Sequence, residues 1–231
     1  MYAAISLQRL IQLLVWPFVL WFVARLLISG IPPTNGLTWW RFMSSTVSYW
    51  SITLFVLFGF SHRWAPWRLA WRLFPVLNDL IFPDFNGVWR GTTRSNWPRI
   101  DAMRQAAKES GGLDLDELPA IDLREDPIEI TITASLFSFR IVAKLAGTDS
   151  TSYSLGERVT RDERRAQFEL SYIYRQSTPE PAATDESSHE GAATLDFDRK
   201  ACTLSGHYWT RRNWKTGYNT AGRLLLTRAS I

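Results

Sequence analysis

The residues able to do chemistry recur at every second position. Thr148, Ser150, Ser152 and Ser154 form one such set, Leu170, Tyr172 and Tyr174 a second, and Gly206, Tyr208, Thr210 and Arg212 a third. Gly87, Trp89, Gly91 and Thr93 repeat the spacing near residue 90. Side chains two apart on a strand share a face, so each set would present hydroxyls, rings or a guanidinium on one side. Tyr and Trp stack on a planar base, Ser and Thr bond sugar or phosphate oxygens, and Arg pairs with phosphate in fork geometry. Turned inward, these faces suit a small, polar, aromatic, anionic molecule. The same spacing also fits serines facing water and an ordinary cross-strand tyrosine ladder. Arg211 and Arg212 are adjacent and take opposite faces, and Arg212 is the one in phase with Tyr208.

Catalysis has little to work with. The chain has no P-loop, dinucleotide fingerprint, GxSxG elbow or HExxH motif. His189 and Glu190 form an HE pair that opens HEG, without the second histidine of a zincin helix. His189 stands at a strand start, where it could bond a ligand or a turn carbonyl. The single cysteine, Cys202, excludes a disulfide framework and a multi-cysteine metal site. The reading is a binding module, with no catalytic residue, no metal and no cofactor beyond its ligand.

Alternation predicts eight strands: Gly87 to Asn96, Ile128 to Ser135, Phe137 to Leu145, Ser150 to Thr160, Ala166 to Gln176, Glu190 to Phe197, Ala201 to Thr210 and Asn219 to Arg228. Eight antiparallel strands are enough to close a small β-barrel that holds one small ligand. Two inserts interrupt the pattern. Pro98 to Asp126 holds a short helical patch, RIDAMRQAAKES, followed by an acidic stretch. Thr178 to Ser188 reads as a mobile loop, and disordered insertion is the default expectation for both.

The first 83 residues differ in kind. They hold six of the 26 Lys and Arg residues, one of the 22 acids and eight of the 12 tryptophans. Basic excess in the apolar part argues against binding to a nucleic-acid polymer, which would concentrate positive charge on the folded domain. Leu7 to Ile31 and Phe42 to His62 are apolar enough to suggest a two-helix transmembrane hairpin, joined by the uncharged linker GIPPTNGLT. Pro17 and Arg25 interrupt the first span. Arg9 precedes the uncharged run of the first span, Leu10 to Ala24, and Arg63, Arg68 and Arg72 follow the second span, so the positive-inside rule puts both termini in the cytoplasm. Trp64, Trp67 and Trp71 interleave with those arginines, which suggests a stretch lying in the headgroup layer. The expected organisation is residues 1–75 as the transmembrane and juxtamembrane region and 76–231 as an all-β, eight-stranded antiparallel barrel in the cytoplasm.

In order along the chain, two apolar helices, DFNGVWRGTTRSNW, the Thr148 to Ser154 run, LxYxY, HEG and GHYWTRR resemble the two-transmembrane β-barrel effectors of bacterial CBASS anti-phage immunity. The resemblance implies a non-enzymatic receptor in the inner membrane whose barrel binds a cyclic dinucleotide. Ligand would then drive homo-oligomerisation of the helices in the lipid bilayer and disrupt it, an abortive infection. From the match, Trp89, Thr93, Ser150, Ser152, Tyr172, His189, Tyr208, Thr210 and Arg212 are the expected ligand wall. The long Pro98 to Asp126 insert departs from that pattern. Alternatives are a lipocalin-like lipid or metabolite carrier, which would have an apolar lumen, and a non-catalytic membrane scaffold.

Overall fold

The computed structural model describes residues 7–29, 34–58, 67–80, 82–109, 112, 114, 116–134, 139–162, 164–165, 167–182 and 184–229. They divide into two compact units, one helical up to Asp84 and one of strands from Phe85 onward.

The helical unit begins with α1 (Leu7–Ser29) and α2 (Gly36–Phe58), each 23 residues. Asn35 starts α2 six residues earlier than expected, because its side chain accepts the Thr38 N–H at 2.9 Å while the Thr38 hydroxyl accepts the Asn35 N–H at 3.1 Å. Four linker residues, 30–33, lie outside the described residues. The two helices pair through aromatic contacts, Phe22 with Phe42 and Phe18 with Trp50. Arg25 closes the pair. Its guanidinium donates to Ser45 Oγ at 3.0 Å and Thr46 Oγ1 at 2.6 Å and lies over the Phe42 and Tyr49 rings. The hydroxyls of Ser44, Ser45, Thr46 and Ser48 all donate back to carbonyls of their own helix, which leaves the Ser45 and Thr46 oxygens free to accept from Arg25.

The expected crossing of a membrane finds no support here: among the described residues no helix is long and apolar enough to cross one. Gln8, Arg9, Gln12 and Arg25 dilute the first helix, and Arg41 with seven Ser or Thr residues dilutes the second. The headgroup-layer reading of the tryptophans is corrected in part. On α3 (Trp67–Leu73), Trp67 and Trp71 are buried against each other and Phe82, and Trp71 donates to the Phe82 carbonyl at 2.8 Å. Four residues separate them, so they share one helix face, and Leu69 and Leu73 are exposed on the other. Arg63 and Trp64 lie outside the described residues. A short helix, α4 (Leu77–Leu80), leads toward the strands.

Eight antiparallel strands follow in sequence order: β1 (Gly87–Ser95), β2 (Arg124–Ala134), β3 (Phe139–Leu145), β4 (Thr151–Asp162), β5 (Gln167–Ser177), β6 (Ser188–Asp198), β7 (Thr203–Thr210) and β8 (Ala221–Arg228). β8 pairs with β1 and closes the barrel. The expected ends of β2 and β3 at Ser135 and Phe137 lie outside the described residues. At its other end β2 starts four residues earlier than the alternation suggested. Pro127 can sit in it because pairing with β3 begins only at Ile128, leaving that stretch an edge. The 98–126 insert is not wholly irregular: α5 (Trp97–Lys108) has Pro98 in its first turn and stacks Trp97 on Tyr218. Residues 110, 111, 113 and 115 of this insert lie outside the described ones.

The inward faces of β1, β5 and β6 change chemistry along the strand. β5 runs from Phe168 and Leu170 to Tyr172 and Tyr174, β6 from Phe197 and Leu195 to Gly191 and His189, and β1 from Trp89 to Thr93 and Ser95. At the apolar end Phe85 packs on Phe139 and Phe197, and Trp89 meets Phe197 edge to face and donates to the Phe85 carbonyl at 2.9 Å. Ile130, Ile141, Leu170, Leu195, Leu204 and Leu226 complete a buried plug around these rings. Two glycines set the next layer. Gly191 pairs with Tyr174 and Gly222 with Tyr208, so each tyrosine ring lies over a residue without a side chain. A Cβ at Gly191 would fall 2.5 Å from the Tyr174 ring and 2.6 Å from the Trp209 carbonyl. Gly191→Ala is therefore expected to cost about 1–3 kcal/mol and lower the thermal midpoint by several degrees. Gly156→Ala, where a Cβ meets nothing within 4 Å, stays within about 0.5 kcal/mol of wild type.

Candidate ligand-binding site in the barrel lumen

Beyond the two tyrosines the lumen is open and encloses a cavity of ≈ 510 Å³. This falls within the roughly 300–1,000 Å³ common for small-molecule sites. Of the nine side chains expected to form a ligand wall, eight line it: Thr93, Ser150, Ser152, Tyr172, His189, Tyr208, Thr210 and Arg212. Trp89 does not. It shares the inward face of β1 with Thr93 but sits four residues deeper, fully buried in the plug, with the Arg228 guanidinium over its ring. Ser154 is also spent on structure. β3 and β4 pair over three residues before a bulge at Leu155, and the Ser154 hydroxyl accepts the Ile141 N–H at 2.9 Å where the ladder has ended.

The wall has two polar sides. On one, the buried Ser150 hydroxyl bonds Thr178 Oγ1 at 2.9 Å and Ser152 stands next along β4. On the other, Thr210 Oγ1 lies 3.1 Å from Thr220 Oγ1 and accepts the Thr220 N–H at 3.0 Å. Between them lie Tyr172 and Tyr174, whose rings are 5.9 Å apart. Burial pushes the Tyr172 hydroxyl above the usual phenol range, and Tyr174 too, helped there by Tyr172 and Tyr208. Both therefore stay protonated and can donate.

Three further residues carry buried polar atoms that are not satisfied. Thr93 Oγ1, both ring nitrogens of His189 and Arg212 Nε are out of contact with solvent and have no hydrogen-bond partner among the described residues. His189 is 2% exposed. An unsatisfied buried donor costs about 1–3 kcal/mol, so a protein rarely keeps several on one cavity unless something else completes them. Burial holds the His189 imidazole below its usual range, with Asp185 and Glu186 opposing and Arg212 adding to the depression.

Arg212 is held in place from behind. Its guanidinium lies 4.8 Å over the Trp97 ring, Trp97 stacks on Tyr218 at 5.6 Å, and Arg104 covers the other side of Tyr218 at 3.5 Å. Arg104 also donates to the Thr216 carbonyl at 2.7 Å. Arg211, by contrast, is exposed beside Glu190. The sequence reading missed Trp97, Asp126, Gln176 and Asp185, all of which line the cavity. The alternation of Arg124, Asp126, Ile128 and Ile130 would have placed Asp126, but the expected strand begins only at Ile128, with Asp126 in the insert. Trp97 continues the phase of Trp89 and Thr93 one residue past the expected end of the strand at Asn96, whereas Asp185 lies outside any alternating run and nothing in its spacing marks it.

In the ligand-free protein the buried His189 stays neutral while an unfolded histidine protonates near 6.5. The unfolded chain thus binds the extra proton first, and His189 makes the protein lose stability as pH falls below that value. The slope is at most about 1.4 kcal/mol per pH unit. Thermal unfolding between pH 7.5 and 5.5 should show a steeper loss in wild type than in His189→Gln, and parallel curves would contradict the assignment.

Residues 121–228 match the family described as Cap15, cyclic dinucleotide receptor domain, which covers β2 to β8. CD-NTase-associated protein 15 of Escherichia albertii is 33% identical to this chain over 164 residues, which is 70% of this chain and 71% of that protein. A closed eight-stranded barrel with a polar half-lumen, the receptor-domain match and a likeness that spans most of both proteins together make this chain a member of the Cap15 family.

Proposed function

We propose that the open half of the barrel binds a cyclic dinucleotide and that the chain is a CBASS effector acting at the bacterial inner membrane. The observation that carries this reading is the set of buried, partnerless polar groups of Thr93, His189 and Arg212 on one cavity. A phosphodiester accepts from a guanidinium and a hydroxyl at once, and tyrosines beside it offer faces and protonated hydroxyls to a base. The family match supports the same ligand class. A lipid carrier would line this half with aliphatic side chains throughout; here Ile128, Ile130, Leu145 and Leu224 share the lining with hydroxyls, phenols, carboxylates, an imidazole and guanidinium groups.

In this reading α1 and α2 insert as a pair, with both termini and the barrel on the cytoplasmic side. Trp16, Leu20, Leu27, Ile28, Trp40, Ile52 and Phe55 are exposed on the two helices, an apolar surface that lipid would cover. Arg25, near the end of α1, is a charged group facing α2, which satisfies it through Ser45 and Thr46. Ligand drives assembly only if it binds the assembled state more tightly. Moving the equilibrium from 1:99 to 99:1 takes about 5.5 kcal/mol, which several barrels in one homo-oligomer could share. Oligomerisation then disrupts the bilayer.

Thermal unfolding of the full chain against 3′,3′-linked cyclic dinucleotides of adenine, guanine and uracil tests the receptor reading, with fatty acids and nucleosides as controls. A ligand at a hundred times its dissociation constant adds about 2.7 kcal/mol, and the midpoint rises by several degrees. Arg212→Ala should weaken binding by about 1.5–3 kcal/mol. Shifts with fatty acids alone, or an unaffected Arg212→Ala, would reject the assignment. Arg25→Leu should keep ligand binding and lose toxicity in expressing cells, and undiminished toxicity removes Arg25 from the membrane step.

A further inference from the structure

The β5–β6 loop puts a carboxylate where the proposed phosphate would go. Asp185 Oδ2 lies 3.5 Å from Arg212 Nη1, and Asp185 Oδ1 lies 3.9 Å from His189 Nδ1. Both distances are long for hydrogen bonds. Arg212 Nε and both His189 nitrogens accordingly remain without partners although an anion faces them. The carboxylate cannot advance without breaking its own turn: Asp185 Oδ1 accepts the Glu186 N–H at 2.9 Å, and the Asp185 N–H donates to the Ala182 carbonyl at 2.8 Å. The loop is further tied at its base by the Thr178 N–H to the Ser187 carbonyl, and Asn213 holds the Thr184 carbonyl.

We infer that Asp185 is a specificity-determining residue that occupies, at arm's length, the place between Arg212 and His189 that a phosphodiester of the ligand takes. This rests on the receptor reading above and adds the selection rule of the same site. A free phosphodiester has no stem fixed to a turn, so it approaches the guanidinium more closely than the carboxylate does. It carries one negative charge and replaces one, which leaves the balance with Arg212 intact. A terminal phosphomonoester carries close to two, and Asp185 opposes the excess. A neutral nucleoside brings nothing to exchange for the carboxylate. The loop charge thus favours cyclic diesters over linear nucleotides with a terminal phosphate.

Titration calorimetry of the full chain and its Asp185→Asn variant tests this, because Asn keeps the oxygen that accepts from Glu186 and removes only the charge. The probes are the panel's tightest-binding cyclic dinucleotide and the linear, 5′-phosphorylated dinucleotide of the same bases. Asp185→Asn is expected to bind the cyclic species about fivefold to tenfold more tightly. The linear species gains more, so that the preference for the cyclic form narrows. Glu186→Gln removes an equal charge one residue away, outside the cavity lining, and should change either affinity by less than twofold. Unchanged affinities, an equal loss on both probes, or a Glu186→Gln variant that reproduces the gain would overturn the role of Asp185 while leaving the receptor reading standing. Failure of every cyclic dinucleotide to bind the wild-type chain would reject both.

Discussion

The aromatic plug of Phe85, Trp89, Phe139 and Phe197 is the interaction on which the rest of the barrel depends. An eight-stranded barrel has a lumen just wide enough for side chains to fill. Filling it from one end supplies a hydrophobic core and leaves the other end free of that duty. The inward faces of β1, β5, β6 and β7 keep this division, apolar on the plug side and hydroxyl, imidazole or phenol on the open side, whereas β3 stays apolar with Ala143 and Leu145 on the cavity. The glycines at 191 and 222 mark the boundary, because they give Tyr174 and Tyr208 room to lie against the wall and keep the centre clear.

Leaving that half open has an energetic cost, met by apolar burial elsewhere. Thr93, His189 and Arg212 carry unsatisfied polar atoms in a place from which solvent is shut out. What stops Arg212 from swinging away to water is the stack behind it, in which Trp97 and Tyr218 lie between two guanidinium groups. Cation–π contacts of this kind contribute about 0.5–2 kcal/mol each and fix the orientation of a planar donor before any ligand arrives. Helix α5 is thus part of the site's architecture, since it supplies both Trp97 and Arg104.

Much of this was legible in the sequence, for reasons that differ by element. Strands β4 to β8 announced themselves because one of their faces is buried, which forces period-two alternation to within a few residues of their ends. The choice of Arg212 over Arg211 followed from phase alone. Depth was not legible. Trp89 and Thr93 share a face, yet alternation says nothing of position along the barrel axis, and only closure of the sheet puts one in the plug and the other on the cavity. Trp67 and Trp71 looked interfacial by composition, but their spacing also suits one buried helix face, and Phe82 decides the matter by packing against them. Asp185 lies in a loop held by turn hydrogen bonds, where no periodicity exists to be read.

The central claim is that the open half of the lumen is completed by an anionic ligand. A crystal structure of the chain with a bound cyclic dinucleotide tests it most directly. The account predicts a phosphate oxygen within about 3 Å of Arg212 Nε and of a His189 ring nitrogen, with the bases against Tyr172, Tyr174 or Tyr208. A dinucleotide seated on the outer face of the barrel, with Arg212 and His189 as they stand now, would contradict it.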